Sequence, residues 1–273
     1  MGAGGHRQRD DLKDTVAGKA HDIQTNTKDP ADDGARNNSD APFVSIVVPV
    51  YNERDNIQSF LAGVRDHVRS DAEIVIVYDF DEDNTLPAVR EMTDPPGGIR
   101  LVKNTLGRGV VNALRAGLKA ARGQAVIVTM ADCSDEPSDI DRLAERIRGG
   151  ADVVAGSRYM PGGRQIGGPL LKRTLSRLAG KSLYTIAGMP IRDATNSFRA
   201  YSRRVVDEIE IESTGGFEIG IELTVKAWCR GWRLEEIPTT WRDRTAGEAR
   251  FRLWQWLPRY LRWYMRGLSH GLL

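Results

Sequence analysis

Short apolar runs alternate with amphipathic segments along the middle of the chain. Five short apolar runs predict strands, at 43–50, 73–80, 99–103, 125–130 and 151–157, and the run at 43–50 is typical of a strand buried on both faces. The intervening segments predict four helices. The first follows Asn52, which is its expected N-cap, and the others lie near 85–92, near 109–121 and at 138–148. Strands that alternate with helices favour right-handed crossovers and a mostly parallel sheet. We therefore expect one α/β domain with a mostly parallel central sheet flanked by helices.

The two ends of the chain depart from this pattern. Residues 1–41 are polar and charged, and we expect a disordered tail because they cannot bury enough apolar area to offset their ordering entropy. The globular domain is expected to span 42–248. Residues 249–273 contain five arginines, three tryptophans and no acidic residue, and they predict a basic amphipathic helix. Such a helix suits a membrane surface with anionic lipid, and a terminal helix packed on the domain is the alternative.

Composition excludes some classes of function. The chain has 273 residues and a net charge of +2, which does not indicate a nucleic-acid-binding protein. No apolar run approaches the roughly 18–20 residues that span a bilayer, and the N-terminus lacks the apolar core of an export signal. The two cysteines fit no metal-ligand spacing and favour a reducing compartment. We expect a cytoplasmic protein, peripheral on the inner face of the cell membrane.

Charged side chains collect where the predicted strands end, which is the edge where α/β sheets bind ligands. Three strand ends carry acidic residues and the fourth carries arginine: 51–53, 79–81, 132–135 and 156–158. Crowded carboxylates repel one another unless a cation lies among them, so this edge suits a divalent cation that carries phosphates. A solvated acidic loop that caps the next helix is the alternative. Glycine-rich phosphate loops are missing after the first strand, so a metal and basic side chains are the expected phosphate ligands.

Several segments then show a resemblance to a known family. In chain order, PVYNERDNI, IVIVYDFDEDNT, GRGVVNALRAGLKAARG and VTMADCSDEP resemble the signatures of the family-two glycosyltransferases, which have the GT-A fold. Further on, GSRYMPGG, DATNSFRAY, FEIGIEL and WRDRTAGEARF resemble the polyprenyl-phosphate sugar synthases, a group that includes dolichol-phosphate mannose synthase.

The resemblance implies an inverting transfer of sugar from a nucleotide-diphosphate donor, with Mg²⁺ or Mn²⁺, to a polyprenyl phosphate. Two alternatives stay open. One is a glycan or small-molecule hydroxyl as acceptor, and the other is a nucleotide-sugar-binding protein of the same fold that has lost turnover.

The resemblance also implies roles for residues on the donor side. Three positions match residues that hold the base and ribose: Pro49, Tyr51 and Glu53. Asp79 matches the acid that recognises the base. Met130-Ala131-Asp132 stands where the family has an Asp-x-Asp motif, so Asp132 is the expected metal ligand and catalytic residue, with Ala131 beside the nucleotide. Met130 supplies no oxygen to a hard cation, so diphosphate oxygens and water would complete the coordination.

Other positions resemble phosphate-binding and acceptor residues. Five basic residues match phosphate-binding positions: Arg158, Lys172, Arg173, Arg244 and Arg250. Four residues are expected on the acceptor side: Asp193, Thr195, Asn196 and Ser197. Glu222 matches a family acid and is a candidate catalytic residue, although an i,i+4 pair with Lys226 is the alternative. A hydroxyl acceptor needs a general base, whereas an ionised phosphate attacks directly.

Overall fold

The computed structural model describes residues 24–26, 41–243 and 253–272, with side chains at 41–243 and 256–272. The strands are β1 Gln24–Asn26, β2 Val44–Pro49, β3 Ala72–Tyr78, β4 Ile99–Lys103, β5 Ala125–Val128, β6 Val153–Ser157, β7 Arg164–Ile166, β8 Arg199–Ser202, β9 Leu234–Pro238 and β10 Thr240–Arg242. The helices are α1 Arg54–His67, α2 Thr85–Arg90, α3 Val110–Ala120, α4 Asp139–Arg148, α5 Leu170–Thr185, α6 Arg203–Glu208, α7 Ile219–Cys229 and α8 Leu253–Leu272.

The central sheet has the strand order β1-β4-β3-β2-β5-β8-β6-β9, and β7 and β10 form a separate two-stranded ribbon. All pairs in the central sheet are parallel except those of β8, which runs antiparallel to both β5 and β6. The prediction of a mostly parallel sheet flanked by helices in a single domain is therefore confirmed.

The five strands and four helices predicted from apolar patterns all form, within a few residues of the expected bounds. The predicted N-cap of α1 is wrong. Glu53 occupies that position, and Asn52 has a positive φ of 56°. The physical reason is the buried carboxylate of Asp83, which accepts hydrogen bonds at 3.1 Å from the backbone N–H of Asn52 and so draws the turn away from the helix.

The core lies on both faces of the sheet because successive strand residues point in opposite directions. On β2, Ile46 and Val48 pack with α1, α2 and α4, whereas Val47 packs with α3 and α7 on the other face. This two-sided burial explains why the strands appear in the sequence as continuous apolar runs. Gly117 of α3 permits close packing, since a Cβ there would lie 2.4 Å from Val47 Cγ1.

The chain ends differ partly from expectation. Strand β1 lies inside the segment 1–41 and pairs with β4, so the expected disorder does not hold for Gln24–Asn26. Most of the segment 1–41 lies outside the described residues. The helix expected near the C-terminus forms as α8. Its Trp263, expected at a membrane interface, is instead 1% exposed, because it packs against buried apolar side chains of the domain, including those of α7. Of the helices that the structure describes, none combines the length and apolarity that crossing a membrane requires.

Candidate active site

The carboxyl ends of β3, β2 and β5 are neighbours at one edge of the sheet, which brings Asp79, Tyr51 and Asp132 to the same edge. The end of β6 places Arg158 further along it. Because β8 is antiparallel, the segment that enters it meets this edge as well, and Arg199 pairs in register with Ala155 of β6. Topology therefore assembles residues that are far apart in the sequence, as the strand-end pattern predicts.

Asp132 lies in a tight turn after β5. Its side chain is largely buried, and Oδ1 accepts a hydrogen bond of 3.1 Å from the backbone N–H of Ser134. Cys133, at the centre of the turn, has a φ of 57°, a left-handed conformation that residues other than glycine and asparagine seldom adopt. The N-cap of α4 is Ser138, so Asp132 caps its own turn and not that helix. The alternative of a helix-capping acidic cluster is thus not seen for this residue.

Asp135 is a buried residue of the site, although the sequence alone favours a cap or a solvated acid at this position. Its carboxyl is 8% exposed, and Oδ2 accepts a hydrogen bond of 3.1 Å from Thr129 Oγ1. Burial, together with the negative charge of Asp132, raises the pKa of Asp135 to about 7. Nothing in the local sequence distinguishes it from a solvated acid, because its burial arises only when the turn folds back over the end of β5.

The residues of this turn fit a hard divalent cation. The carboxylate of Asp132 supplies the oxygen ligand that Mg²⁺ or Mn²⁺ prefers. Next to it, the hydroxyl oxygen of Ser134 is buried without a hydrogen-bond partner. Across the part of the chain that the structure describes, no three acidic, histidine or cysteine side chains converge on one point. A cation at Asp132 therefore requires further oxygens from the diphosphate of a donor and from water.

The part of the site expected to hold the nucleotide is formed after β2 and β3. Tyr51 is exposed, and its ring meets Phe80 edge-on with centroids 5.3 Å apart. Asp79 accepts hydrogen bonds from Asn104 Nδ2 at 2.7 Å and from the backbone N–H of Gly109 at 2.9 Å. The aspartate thus shapes the loop 104–109, and its contact with a base stays a prediction.

The first turn of this region is held by a residue that the sequence reasoning missed. Asp83 is fully buried and binds the backbone of Asn52, while Thr85 Oγ1 accepts a hydrogen bond of 2.9 Å from the N–H of Glu53. The carboxylate of Glu53 accepts a hydrogen bond of 2.8 Å from Asn56 Nδ2. The pattern Asp-Asn-Thr before a helix is a turn signal that would have found Asp83. Two expected nucleotide residues are buried at the strand ends: Pro49 and Ala131.

Arg158 and Asp193 form a buried ion pair. Arg158 Nε lies 2.8 Å from Asp193 Oδ2, and Nη2 lies 3.0 Å from Oδ1. Nη2 also reaches Thr195 Oγ1 at 3.1 Å and Ser176 Oγ at 3.2 Å. Burial alone would raise the pKa of Asp193, but the charge and hydrogen bonds of Arg158 outweigh it and hold that pKa below its usual value. With Nε and Nη2 so engaged, a phosphate contact by Arg158 stays a prediction.

The segment before β8 is braced by Arg199, which the sequence reasoning treated only as part of a motif. This guanidinium is fully buried and donates from Nε to the carbonyl of Asn196 at 2.7 Å and from Nη1 to Thr224 Oγ1 at 2.8 Å. Asn196 Nδ2 donates to the carbonyl of Gly156 at 2.8 Å, whereas Ser197 is half-buried. Asp193, Thr195 and Asn196 therefore build the wall of the site, and their contact with an acceptor stays a prediction.

Glu222 is not brought to the site. Its side chain is fully buried on α7, lies 2.7 Å from Lys226 Nζ, and accepts a hydrogen bond of 2.8 Å from the backbone N–H of Ser213. The i,i+4 pair considered as the alternative is what the structure shows. A catalytic role for Glu222 is not supported, because both carboxylate oxygens are engaged and shielded from any substrate.

Of the four remaining basic residues predicted to bind phosphate, the structure describes two. Lys172 and Arg173 lie in the first turn of α5, whose Ser176 contacts Arg158. Two predicted phosphate ligands lie outside the described residues: Arg244 and Arg250. The backbone N–H of Arg242 donates to the carbonyl of Ser134 at 2.9 Å, so the chain passes beside the Asp132 turn just before that segment.

Comparison with known proteins identifies the class. Residues 45–210 match the family model described as Glycosyl transferase family 2. The chain belongs to this family and is a glycosyltransferase, and the GT-A fold predicted from the sequence is confirmed.

Individual relatives narrow the comparison. The chain is 31% identical to polyprenol monophosphomannose synthase of Mycolicibacterium smegmatis, over 77% of this chain and 85% of that protein. It is 32% identical to undecaprenyl-phosphate mannosyltransferase of Micrococcus luteus, over 76% and 86% of the two chains. Among solved structures, glucosyl-3-phosphoglycerate synthase of Mycobacterium tuberculosis with Mn²⁺ and UDP matches with a TM-score of 0.60 at 17% identity, over 92% of this chain and 88% of that one.

Proposed function

We propose that the protein transfers a sugar, with inversion at the anomeric carbon, from a nucleoside-diphosphate sugar to a polyprenyl phosphate at the inner face of the cell membrane. The proposal is supported by relatives named for polyprenyl-phosphate mannosyl transfer that cover three quarters of the chain. The observation in the structure that carries it is the position of Asp132, largely buried at the sheet edge shared by Asp79 and Tyr51.

On the donor side, the diphosphate leaving group gains negative charge as the glycosidic bond breaks. A divalent cation at Asp132 would neutralise part of that charge. Tyr51 and Glu53 stand where the base and ribose are expected, and Asp79 holds the loop beside them. Lys172 and Arg173, at the start of α5, are the described cations proposed to bind phosphate oxygens.

On the acceptor side, the state of Glu222 favours a phosphate over a hydroxyl. A hydroxyl must lose its proton to a base during attack, whereas a phosphate monoester is already ionised near neutral pH. The predicted base, Glu222, is locked to Lys226 and to backbone N–H groups. Asp135 has a pKa of about 7, which suits a general base, but its carboxyl is nearly enclosed and accepts a hydrogen bond from Thr129. A hydroxyl acceptor is therefore the second candidate, and it would require Asp135 to act as the base.

The test uses purified protein in detergent, radiolabelled nucleotide sugars, a polyprenyl phosphate and Mn²⁺, with label counted in the organic phase. We expect labelled lipid with one donor, and loss of at least about a hundredfold in rate for Asp132→Ala because the cation loses its carboxylate. Glu145→Gln, an exposed acid on α4, is the matched control and should retain full rate.

Other outcomes separate the alternatives. Label that appears in a water-soluble glycan and disappears in Asp135→Asn would establish a hydroxyl acceptor. Calorimetric binding of UDP or GDP that does not depend on Mn²⁺ or on Asp132, with no transfer to any acceptor, would establish a binding protein and refute the proposed activity.

A further inference from the structure

The turn between β2 and α1 contains a residue in an unfavourable backbone conformation. Asn52 has a φ of 56°, in the left-handed region that a residue with a side chain adopts only at a cost. Within the described range 41–243, the side chain of Glu53, the N-cap of α1, makes no capping hydrogen bond to the helix. The groups that hold this turn in place must therefore come from another part of the chain.

These groups are three side chains at the start of α2. Three consecutive backbone N–H groups, at residues 52–54, donate to three consecutive side chains, at residues 83–85. The nitrogen-to-oxygen distances are 3.1 Å from Asn52 to Asp83, 2.9 Å from Glu53 to Thr85 and 3.2 Å from Arg54 to Asn84. In return, the backbone N–H of Asn84 donates to Asn52 Oδ1 at 3.2 Å. We call residues 83–85 the turn clamp.

Asp83 is the buried anchor of the turn clamp. It is 0% exposed, and both of its carboxylate oxygens lie 3.1 Å from the backbone nitrogen of Asn52. Its Oδ1 also accepts a hydrogen bond of 2.9 Å from the backbone N–H of Thr85. A carboxylate that is enclosed in this way does not reach a nucleotide, so an effect of Asp83 on binding must pass through the backbone that it holds.

The turn that Asp83 holds carries two residues expected to meet the nucleotide. Tyr51 and Glu53 flank Asn52 in the chain, so the φ of Asn52 sets the direction of one relative to the other. Tyr51 is 41% exposed, and its ring contacts that of Phe80. The carboxylate of Glu53 accepts a hydrogen bond of 2.8 Å from Asn56 Nδ2. Both side chains are thus placed before a ligand binds, provided that the backbone between them keeps its conformation.

We propose that Asp83 is a positioning residue for nucleotide binding, which holds Asn52 in the left-handed conformation and so keeps Tyr51 and Glu53 in the arrangement that binds the nucleotide. The inference rests on the proposed function, since Tyr51 and Glu53 are the residues proposed to meet the base and ribose. Without the carboxylate, Asn52 returns to more favourable values of φ. The apparent affinity then falls in proportion to the fraction of molecules in which the turn stays competent.

The test measures nucleotide binding by the full chain, through calorimetric titration of GDP or UDP in the presence of Mn²⁺. Asp83→Ala should raise the Kd of the nucleotide that the wild-type protein binds by about tenfold or more, because Asn52 loses the hydrogen bonds that offset its left-handed conformation. Thr85→Val removes the oxygen that holds the N–H of Glu53 and should raise Kd several-fold. This milder variant decides the question if circular dichroism shows that Asp83→Ala does not fold.

Kinetics, a rescue variant and a control separate positioning from general destabilisation. In transfer assays in detergent, Asp83→Ala should raise the donor KM in step with Kd, while kcat stays within about twofold of wild type. Glycine adopts a positive φ at little cost, so Asp83→Ala/Asn52→Gly should recover most of the lost affinity. The control is Glu73→Ala. Glu73 is 2% exposed and also holds a backbone N–H, that of Arg122 at 2.7 Å, but it lies at the opposite end of β3. This variant should lower stability and leave Kd unchanged.

An unchanged Kd in the folded Asp83→Ala and Thr85→Val variants would overturn the proposal, as would an equal rise in Kd for Glu73→Ala. A loss of affinity that Asn52→Gly does not relieve would place the effect outside the backbone of this turn and also overturn it. If the variants behave as expected but no sugar reaches a lipid, the positioning role stands and the proposed function fails. Transfer to lipid with unchanged nucleotide affinity in the variants would give the reverse result, and a wild-type protein that binds no nucleotide would refute both.

Discussion

Asp135→Asn tests the electrostatics of the candidate site most directly. In the folded protein the pKa of this carboxyl is about 7, because burial and the charge of Asp132 disfavour its ionised form. In the unfolded chain it ionises near its ordinary pKa of 3.8. Between these two values the folded state holds a proton that the unfolded state has lost, so stability falls as pH rises through this interval.

The size of the effect follows from the two pKa values. The contribution is fully present below the unfolded pKa and is lost as pH rises through the folded pKa of about 7. About two units of the interval lie between pH 5 and pH 7, and each unit is worth about 1.4 kcal/mol, so the free energy of unfolding should fall by on the order of 2–3 kcal/mol. Asparagine cannot ionise and still accepts the hydrogen bond of Thr129, so the variant should lack this component.

The assay is urea unfolding followed by tryptophan fluorescence, in chelator, at about pH 5 and about pH 8. The quantity of interest is the difference in unfolding free energy between the wild-type protein and Asp135→Asn, because titrating groups that do not interact with Asp135 cancel in it. Asp135→Asn should gain about 2–3 kcal/mol relative to wild type on going from the lower to the higher pH. Glu145→Gln should show no such gain. A constant difference at both pH values would refute the assignment of a buried, protonated carboxyl.

Three further predictions concern other parts of the site. Asp193→Asn leaves a buried guanidinium without its counter-charge and should cost about 3–5 kcal/mol in chemical denaturation, whereas a loss below 1 kcal/mol would show that the pair is not buried in solution. Glu222→Gln should lower stability by about 1–3 kcal/mol while the folded enzyme keeps its kcat, and a hundredfold loss of kcat at unchanged stability would restore a catalytic role. Cys133 is exposed, but partial desolvation and the carboxylates of Asp132 and Glu53 raise the pKa of its thiol, so alkylation should be slow. GDP or UDP with Mn²⁺ should slow alkylation of Cys133 several-fold further, as measured by mass spectrometry, without protecting Cys229. Equal labelling with and without nucleotide would contradict the placement of the cation.

The five strands β2 to β6 were predictable because they are apolar runs covered by helices, whereas the parallel strands β1 and β9 were not predicted. Runs such as Val44–Pro49 contain almost only apolar and β-branched residues, and a short run of that composition is typical of a strand covered by helices on both sides. The antiparallel strand Arg199–Ser202 was missed because its four residues include arginine and serine and carry no apolar period. Its arginine is buried through hydrogen bonds to loop carbonyls, an arrangement that exists only after folding.

The site was predictable in its position more than in its detail. Asp79 and Asp132 were placed together by the rule that parallel strand ends share an edge. Glu222 shows the limit of motif matching, since the decisive partners are the backbone N–H groups at residues 212 and 213, which no side-chain pattern reveals. The burial of Asp135 was not predictable for the same reason, because tertiary packing sets that burial and therefore the pKa of the carboxyl.

The inward orientation of Trp263 has a practical consequence for anyone who shortens this chain. Its ring centroid lies 4.9 Å from Lys226 Nζ, so the indole covers the buried ion pair between Lys226 and Glu222 on α7. A fragment trimmed before α8, in the hope of better behaviour in solution, would open an indole-sized gap and admit water to a lysine that is otherwise enclosed, at a cost of several kcal/mol. Helix α8 is thus part of the hydrophobic core of the domain. Truncations and fused reporter proteins are better placed at the N-terminus.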